Sequence, residues 1–455
     1  MSTSSTHGPQ GSSKRQIRFI PLRYSSEDSR ASALRLLTEL KPDWREDSEH
    51  ITLRRFTDGI TNTLLKAVNR RPDLSEEEAD ADAILLRAYG HGTDLIIDRH
   101  RETQNHELLS HYGLAPELLA RFENGMLYRF IRGTVTTPED LRLPRIYRAV
   151  ARRLAQWHGT VPCIPGPTGH SRKSSLVENC KTKGAEVTAS EASGIAPLDE
   201  TEFQRAIDSI APSKPSPNVW TVLQKWIFAL PTETEAQRAR QAILQKELKR
   251  LVAELSERDV LGKNGLVFAH CDLLCGNIIV LPRGEKAGQA NGSTVTGAAN
   301  GADDANVESV AFIDYEYATP SPAAFDIANH FAEWGGFDCD FSVLPTRKQR
   351  RIFIDEYVRA YFRFTRPAEP ASEAEIGAVT TKLFEEVDIF RGLPGFYWGV
   401  WALIQATISD IDFDYASYAE TRLGEYWAWR SEVEGTREAE GKEMPLRERR
   451  WRQES

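Results

Sequence analysis

The sequence predicts an α+β fold in two lobes: a small mixed sheet with one helix at residues 16–133, and a larger, mainly helical lobe at residues 134–430. Three observations lead to this prediction. The first lobe holds short apolar runs with partial alternation, which is typical of strands. The second lobe holds apolar residues at helical spacing over most of its length. A chain of 455 residues is also long enough for two hydrophobic cores.

The first lobe is expected to be a small sheet with a helix packed across it. Strands are predicted at residues 17–22, on both sides of the turn at 57–59, and at 83–90. A further pair of strands is predicted around Asn124-Gly125, a hairpin signal. The spacing of apolar residues predicts helices at 27–40 and 94–113.

The second lobe begins with a predicted helix at residues 144–158, where Pro144 occupies a favoured first helical position. Residues 163–216 suggest loops with a helix or two, residues 217–260 suggest two helices, and residues 322–430 suggest further helices. Three polar segments are expected to lie outside the folded core, because they hold too little apolar surface to bury. These segments are the tail at 1–15, the low-complexity insert at 283–308 and the charged, solvated tail at 431–455.

Charge and cysteine content exclude several classes of protein. The net charge of -9 gives no basic field of the kind that nucleic-acid binding needs. No run approaches the roughly 20 apolar residues of a membrane span, and the N-terminus lacks a signal-peptide core. Five scattered cysteines suit a reducing compartment better than a disulfide framework. We therefore expect a cytoplasmic protein without a nucleic-acid partner and without a membrane span.

The segment HCDLLCGNIIV, residues 270–280, carries the strongest chemical signal. Strands are predicted on both sides of it, so the turn of this hairpin is expected to present Asp272 and Asn277. Asp314 ends the later strand SVAFID, the expected partner of NIIVL, and should reach the same place. Phosphoryl transfer needs this set: one carboxylate orients the attacking hydroxyl and accepts its proton, while an Asn and a second Asp hold Mg²⁺ against the phosphates. The spacing H-x-D-x₄-N is the one that kinases use.

Three other interpretations of this segment stay open from the sequence. His270, Cys271 and Cys275 could bind zinc, although their spacing is not a standard zinc pattern. Asp272 could be an ordinary turn residue, with Asn277 at the start of a strand. The cysteines could be nucleophiles, but their apolar neighbours and the absence of an evident base favour inert packing.

The first lobe is predicted to hold the nucleotide. Arg87, on the strand LLRAYG, is expected to present a cation to the phosphates, and Glu102 on the next helix is expected to pair with it. The turn at residues 57–62 would cover the phosphates, although one Gly makes it a weak signal. A surface charge is the alternative for each charged residue. The full predicted nucleotide-binding set is Asp58, Gly59, Thr61, Asn62, Arg87, Glu102 and Arg129.

Polar residues on the helix after residue 322 form a stripe at helical spacing. The stripe consists of Asp326, Asn329, His330 and Glu333. For Asp326 and His330 we expect a buried polar network that braces the catalytic loop. Glu333 is instead a candidate for the acceptor pocket.

An aromatic group further along the chain suits a cage for an organic cation. Trp398 and Trp401 are neighbours at i, i+3 on a predicted helix, and Tyr415 and Tyr418 follow after a turn. Core packing is the alternative, because aromatic residues at helical spacing are common in cores.

These motifs together resemble the choline/ethanolamine kinase family, and within it most of all the fungal ethanolamine kinases. The resemblance covers residues 50–160 and 262–430 and rests on HCDLLCGNII, FIDYEYATPSPAAFDIANHFAEWGG and WGVWALIQATISDIDFDY. LLRAYGHGTDLIIDR and TDGITN add to it. The family implies a protein-kinase-like two-lobed fold, ATP as co-substrate, Mg²⁺, and transfer of the γ-phosphoryl group to an amino alcohol.

The resemblance implies a role for each candidate residue. Asp272 is the implied catalytic base, and Asn277 and Asp314 are the implied metal ligands. Arg87 and the turn at 57–62 would contact the nucleotide phosphates. Glu316 would support the metal and phosphate region beside the acceptor. The implied acceptor-binding residues are Glu316, Tyr317, Glu333, Trp398, Trp401, Asp414, Tyr415 and Tyr418.

Ethanolamine is the predicted acceptor, with choline as the alternative. The primary ammonium of ethanolamine has three donors and gains from carboxylates at hydrogen-bonding distance, whereas choline needs a roomy aromatic cage. Choline kinases often have Gly before the first cage Tyr, where this chain has Asp414. The implied product is phosphoethanolamine, made in the first step of the CDP-ethanolamine route to phosphatidylethanolamine.

Two other classes of protein remain as alternatives. One is a kinase-like phosphotransferase for an aminoglycoside or a sugar. The paired Trp residues and nearby acids favour a small cation as the acceptor instead. The other is a catalytically silent binding module. The presence of Asp272, Asn277 and Asp314 together argues against it. The sequence leaves the assembly state open, with a homodimer as one alternative.

Overall fold

The computed structural model describes residues 17–46, 48–56, 62–90, 96–163, 197–210, 214, 216–282, 307–409 and 411–455. The predicted tail at 1–15 and nearly all of the predicted insert at 283–308 lie outside these residues, as do Asp58, Gly59 and Thr61. The chain divides into two compact units. Unit 1 holds residues 1–91 and 116–132, and unit 2 holds residues 92–115 and 133–455.

Unit 1 is built on a six-stranded mixed sheet, as predicted. Its strand order is β1-β5-β6-β4-β3-β2, and only the β1–β5 pair is parallel among them. Residues 57–61 separate β2 from β3 in the sequence, and the predicted Asn124-Gly125 hairpin joins β5 to β6. The strands are β1 Arg18–Ile20, β2 Ile51–Phe56, β3 Asn62–Asn69, β4 Ile84–Tyr89, β5 Leu118–Phe122 and β6 Gly125–Arg129.

Helix α1, Ser29–Leu40, covers one face of this sheet. Its apolar residues recur at helical spacing, so Ala33, Leu36 and Leu37 lie on one side and are fully buried in the core with the strand residues. A short helix α2, Glu76–Ala81, was not predicted from the sequence. Ser75 and Glu78 form its capping box, which satisfies free N–H groups of the first turn.

Helix α3, Arg99–His111, groups with unit 2, whereas the sequence placed it with the sheet of the first lobe. Its polar side chains explain the grouping. Asn105 donates to the carbonyl of Ala318 at 2.9 Å, and the His106 ring lies edge-on to Tyr315 at 5.4 Å. These contacts join residues far apart in sequence, so they leave no local signal.

Unit 2 is mainly helical, as predicted. Helix α4 has Pro144 at its first position, and its buried face includes Val150, Leu154 and Trp157. The remaining helices are α4 Pro144–Thr160, α5 Glu200–Ile210, α6 Val219–Phe228, α7 Glu235–Leu255, α8 Ala323–Ala332, α9 Arg347–Thr365, α10 Glu373–Phe390, α11 Leu393–Ile408, α12 Tyr415–Val433, α13 Thr436–Ala439 and α14 Leu446–Arg452. Each of the helices in the described residues is too short or too polar to cross a bilayer.

Two small sheets frame the catalytic segment, which is not the single hairpin predicted from the sequence. Strand β8, Val267–Ala269, pairs with β11, Thr319–Ser321. Strand β9, Ile278–Val280, pairs with β10, Val310–Phe312, and with the short strand β7, Thr134–Val135. The residues before and after Asp272 therefore enter different sheets, and the segment between them is a loop that joins the two.

The prediction of a solvated tail at 431–455 is wrong for residues Leu446–Arg452, which form helix α14. Helix α14 packs on unit 2, with Trp451 buried and its indole Nε1 donating to Asp388 Oδ1 at 2.7 Å. The guanidinium of Arg350 stacks over the Trp451 ring at 3.9 Å and donates to the Trp451 carbonyl. One aromatic anchor and buried arginines hold this helix although its composition is charged.

Candidate active site

Asp272 and Asn277 lie on the loop between β8 and β9 and contact each other directly. The Asn277 side-chain amide donates to Asp272 Oδ2 at 3.0 Å and to the Asp272 carbonyl at 2.8 Å. Both residues are buried. Because Nδ2 makes both bonds, the side-chain oxygen of Asn277 remains as the atom that could ligate a cation.

Strand pairing brings Asp314 to the same place. Phe312 pairs with Ile278 in the β10–β9 ladder, and the next residue, Ile313, donates its N–H to the Asn277 carbonyl at 3.0 Å. Asp314 follows at once, with φ at +64°. This left-handed conformation is uncommon for a residue other than Gly, and Asp and Asn tolerate it best. The three candidate residues therefore converge as predicted, although the hairpin that was expected to bring them together does not form.

His270 links the loop to strand β10. Its Nε2 donates to the Ile313 carbonyl at 3.0 Å, while Nδ1 accepts the N–H of Asp272 at 3.3 Å. One nitrogen as donor and one as acceptor is the pattern of a neutral ring. Burial agrees, because it lowers the pKa of His270 to about 4. His270 thus orients the backbone at Asp272.

Burial, together with nearby acidic groups, raises the pKa of Asp272 well above the usual value. Burial is the largest cause, followed by the negative charges of Asp314, Glu333 and Glu316. Among the residues that the structure describes, Asp272 Oδ1 has no hydrogen-bond partner. A buried carboxylate oxygen without a partner is costly unless a ligand or a cation completes the site.

The polar stripe on α8 braces this loop, as predicted for Asp326 and His330. Asp326 accepts the backbone N–H groups of His270 and Cys271 at 2.9 and 2.8 Å, and its Oδ2 also contacts His158 Nε2 at 2.9 Å. His330 Nδ1 donates to the Leu273 carbonyl at 2.9 Å. Cys271 has φ at +63°, so these bonds hold a conformation that its side chain disfavours.

We expect the protein to lose stability between pH 7 and pH 5, because His270 and His330 are buried as neutral rings. Burial lowers both pKa values to about 4, from 6.5. The unfolded chain therefore binds more protons between pH 6.5 and pH 4, and stability falls as the pH falls through that window. At pH 5 each ring should contribute a loss of about 2 kcal/mol.

Urea unfolding midpoints at pH 7 and pH 5 test this expectation. His330→Gln should reduce the dependence on pH, because Gln lacks a titrating group. Equal midpoints at the two pH values would show that the rings accept protons without cost, against the geometry described above.

The predicted aromatic cage residues form one cluster. Trp401 Nε1 donates to the Tyr317 hydroxyl at 2.8 Å, and the Tyr317 and Trp398 ring centroids lie 5.8 Å apart. Trp401 lies edge-on to Trp398 at 5.5 Å and to Tyr415 at 5.7 Å. Trp226, which the sequence analysis missed, packs against Tyr317 at 6.0 Å. All of these rings are buried.

Asn329 connects this aromatic cluster to the catalytic loop. Its Oδ1 accepts from Trp398 Nε1 at 2.8 Å, and its Nδ2 donates to the Cys271 carbonyl at 2.9 Å. One buried amide thus joins the cage directly to the residue before Asp272.

Glu333 and Tyr418 lie beside Arg422, a residue that the sequence analysis missed. Arg422 donates to Glu333 Oε1 at 3.1 Å, and its guanidinium lies 5.8 Å from the Tyr418 ring centroid. Burial raises the pKa of Glu333, and the charge of Arg422 opposes this effect. On α12, residues 415, 418 and 422 fall on one face, so the sequence contained a signal for Arg422.

Asp414 does not have the predicted place at the edge of the cage. It is the N-cap of α12: its Oδ1 accepts the N–H of Ser417 at 3.0 Å and its Oδ2 accepts the Ser417 hydroxyl at 2.6 Å. The side chain is exposed to solvent. Both carboxylate oxygens serve the helix end, as is common for Asp at this position. Asp414 therefore gives no support for a primary ammonium as the ligand.

Replacing Asp414 by Asn should change the KM for the acceptor by less than about twofold, because Asn caps a helix N-terminus as well as Asp does. Steady-state kinetics with the acceptor varied at saturating nucleotide measure this. A rise of tenfold or more would return Asp414 to the acceptor pocket.

Glu102 and Glu316 share one cation in unit 2. Arg99 Nη1 lies 2.9 Å from Glu102 Oε2 and 3.4 Å from Glu316 Oε2. Arg99 was missed in the sequence, although its i, i+3 spacing to Glu102 was visible there. The predicted pair of Glu102 with Arg87 would join the two units and stays a prediction.

In unit 1, Arg87 and Asn62 lie near one end of the sheet and Arg129 lies near the other. Asn62, the first residue of β3, pairs with Tyr89, and Arg87, two residues earlier on β4, pairs with Met126. Arg129 pairs with Ile84, five residues along β4 from Tyr89, or about 17 Å.

Arg129 is also held by two acids, through a hydrogen bond to Asp82 Oδ1 and an ion pair with Glu117 at 3.8 Å. These contacts favour a structural role for Arg129, and its predicted role in nucleotide binding stays a prediction. Arg87 is buried, and its role stays a prediction.

The zinc and nucleophile interpretations find no support in the geometry. His270 bonds the backbone, while Cys271 Sγ lies 3.3 Å from the Ser321 hydroxyl. Burial raises the pKa of both Cys271 and Cys275, which leaves the thiols protonated and poorly nucleophilic. Among the described residues, no three His, Cys, Asp or Glu side chains form a metal-binding group.

A mixed-sheet unit, a helical unit and a loop of the H-x-D-x₄-N type beside a strand-borne Asp together define a kinase-like phosphotransferase. The model of the choline/ethanolamine kinase family matches residues 53–427. The chain belongs to the choline/ethanolamine kinase family and is thus an ATP-dependent phosphotransferase.

Curated relatives cover most of the chain. Ethanolamine kinase 1 of Mus musculus is 32% identical over 405 residues, which is 89% of this chain and 90% of that protein. A probable ethanolamine kinase of Nematostella vectensis is 31% identical over 415 residues, 90% of this chain and 96% of that protein.

A solved structure, the ethanolamine kinase of Plasmodium vivax, supports the same fold. It has a TM-score of 0.58 at 22% identity and covers 88% of each chain. A choline kinase of Cryptosporidium parvum has a TM-score of 0.50 at 18% identity, over 89% of this chain and 96% of that one. The predicted protein-kinase-like fold is therefore confirmed.

Proposed function

We propose that the protein is an ethanolamine kinase, which transfers the γ-phosphoryl group of ATP to the hydroxyl of ethanolamine and gives phosphoethanolamine. One observation carries the proposal: a buried amide, Asn329, joins the loop of Asp272 to a cluster of aromatic rings. A phosphoryl-transfer loop and a cation cage within one network suit a small amino alcohol. The curated ethanolamine kinases that match most of the chain support the choice.

Asp272 is the proposed catalytic base. Its carboxylate accepts one hydrogen bond through Oδ2, from Asn277, and this leaves Oδ1 for the acceptor hydroxyl. A carboxylate in this position orients the hydroxyl toward the phosphorus and takes its proton as the new P–O bond forms. Most of the rate gain then comes from position and electrostatics.

Asn277 and Asp314 are the proposed ligands of Mg²⁺. The residues fit such an ion: both supply oxygen atoms, which Mg²⁺ prefers, and the acidic cluster that raises the pKa of Asp272 would be relieved by a divalent cation. When bound, the ion would offset the charge of the phosphates. Two protein ligands suffice, since Mg²⁺ usually keeps water and phosphate oxygens as its other ligands.

The nucleotide phosphates are the proposed partners of Arg87 and of the turn with Asp58, Gly59, Thr61 and Asn62. Asn62 pairs with Tyr89, which lies two residues after Arg87 on β4, and this proximity supports a common role. Glu316 and Glu102, joined by Arg99, are proposed to keep the region around Asp314 in place.

The ammonium group of ethanolamine is the proposed ligand of the aromatic cluster and Glu333. The cluster consists of Tyr317, Trp398, Trp401 and Tyr415, with Tyr418 beside Glu333 and Arg422. Aromatic faces attract a cation, and a buried carboxylate can accept N–H donors that choline lacks. Glu333, and not Asp414, is therefore the carboxylate that favours a primary ammonium over choline.

Trp401→Ala is expected to raise the KM for ethanolamine by about tenfold or more, because a desolvated cation–π contact contributes up to about 2 kcal/mol. The KM for ATP should change little. Trp427→Ala is a matched control, since Trp427 lies on α12 outside this cluster. An unchanged KM for ethanolamine would assign Trp401 to the core.

ADP release by the purified protein, with ATP and Mg²⁺, tests the proposed function. Release should require ethanolamine or choline and should stop when EDTA removes Mg²⁺. Release with an aminoglycoside or a sugar alone would favour the wider phosphotransferase class. No release with any acceptor would favour a silent binding module. The cytoplasmic location and a homodimer stay predictions.

A further inference from the structure

A chain of buried ion pairs runs from Glu333 to the C-terminal helix α14. Glu333 contacts Arg422 at 3.1 Å, and Arg422 Nε lies 3.9 Å from Glu425 Oε2. Glu425 Oε1 in turn lies 2.5 Å from Arg447 Nε on α14. Each of these four side chains is at most 7% exposed. The acceptor carboxylate and the end of the chain are therefore linked through two arginines.

The outer end of this chain is anchored. Arg447 also contacts Glu448 at 3.0 Å and donates to the Arg391 carbonyl. Glu448 is held by the Arg391 guanidinium at 2.9 Å. Together with the buried Trp451, these contacts fix α14 on unit 2.

In this series of ion pairs, the two acids Glu333 and Glu425 are balanced by two cations only when Arg447 is included with Arg422. Arg422 lies between two acids, Glu333 and Glu425, and it alone cannot neutralise both. Arg447 supplies the second cation at Glu425. Since uncompensated charges are costly in a buried site, loss of Arg447 would draw Arg422 away from Glu333 toward Glu425.

We propose that Arg447 is a positioning residue for the amino-alcohol site: by neutralising Glu425, it leaves Arg422 free to orient Glu333. The inference rests on the proposed function, because it takes Glu333 as a partner of the ammonium group. Arg447 lies beyond residues 53–427, which the family model matches, so the match itself does not supply this residue.

The electrostatics of Glu333 give the direction of the effect. Burial raises its pKa, Arg422 opposes this through its charge and hydrogen bond, and Glu425 adds to the rise. A Glu425 without Arg447 would therefore favour the protonated form of Glu333 and turn its carboxyl group out of position. Both changes weaken the attraction for an ammonium group.

Arg447→Met is the direct test in the full-length protein. We expect the KM for ethanolamine to rise about tenfold, while kcat and the KM for ATP stay within about twofold. The double variant Arg447→Met/Glu425→Gln removes the unbalanced acid as well and should return the KM for ethanolamine to within about threefold of wild type.

A purely structural role for Arg447 predicts the opposite pattern. The double variant would then be no better than the single one, and kcat and both KM values would worsen together. Either that pattern or an unchanged KM for ethanolamine in Arg447→Met overturns the proposal. If the Met variant does not fold, Arg447→Gln is measured by the same criteria.

Glu333→Gln separates this inference from the proposed function. If Glu333→Gln raises the KM for the amino alcohol and Arg447→Met does not, only the role of Arg447 is wrong. If Glu333→Gln leaves that KM unchanged, the proposed acceptor site itself is wrong. If the wild type prefers choline, the same comparison is made with choline as the acceptor.

Discussion

Asp272→Ala should lower kcat by roughly 10²- to 10⁴-fold, the usual contribution of a positioned general base. The variant removes a carboxylate whose Oδ1 has no hydrogen-bond partner among the described residues and can therefore take the proton of the attacking hydroxyl. It should still fold, because the raised pKa of Asp272 means that its charged form does not stabilise the native state. Asn277 also keeps the carbonyl of residue 272 as a partner.

Nucleotide binding shows whether Asp272→Ala has lost only the catalytic base or the structure of the whole site. Calorimetric titration should give an ATP Kd for Asp272→Ala within a few-fold of wild type. Asp414→Asn, an acid of the same unit that caps a helix, is the matched control for activity. Turnover near the wild-type rate in Asp272→Ala would refute the assignment of the base.

Asp326→Ala should lower the free energy of unfolding by about 3–5 kcal/mol, because it leaves three buried hydrogen-bond donors without their acceptor. The Asp326 carboxylate accepts from His158 and from two backbone N–H groups of the catalytic loop. Its pKa stays low despite burial, since these donors and the neighbouring rings favour the charged form. Without it, the strained conformation at Cys271 would lose its restraint.

Asp355→Ala is the matched control for stability. Asp355 lies on α9 and pairs with Arg359 at 2.8 Å, but its side chain is 40% exposed. An exposed pair of this kind contributes about 0–1 kcal/mol. Urea unfolding of both variants compares the two acids directly. Equal midpoints would show that the loop does not depend on Asp326.

The catalytic residues could be predicted from the sequence because their signal is local. Asp272 and Asn277 are five residues apart, and Asp314 follows strand β10, whose partner β9 is the strand before it among the described residues. The pairing of β8 could not be predicted in the same way. Its partner, Thr319-Pro320-Ser321, lacks apolar alternation and has a central Pro, a residue that strands disfavour.

The errors in the candidate site also have physical causes. Asp414 three residues before Ser417 is a capping pattern, but the comparison with the cage of choline kinases hid it. The charged composition of α14 concealed that Arg447 and Glu448 are buried as pairs. Such pairs arise from packing between distant segments, which neither periodicity nor composition reports.

The choice of ethanolamine over choline is the central claim, and a competition assay tests it most directly. Equal concentrations of both amino alcohols share limiting ATP in one reaction, and mass spectrometry measures the two phosphorylated products. Their ratio equals the ratio of the two kcat/KM values. We predict at least a tenfold excess of phosphoethanolamine, or about 1.4 kcal/mol in transition-state binding. An excess of phosphocholine would contradict the proposed role of Glu333 in selecting ethanolamine. The assignments of the fold and of the catalytic loop would not be affected.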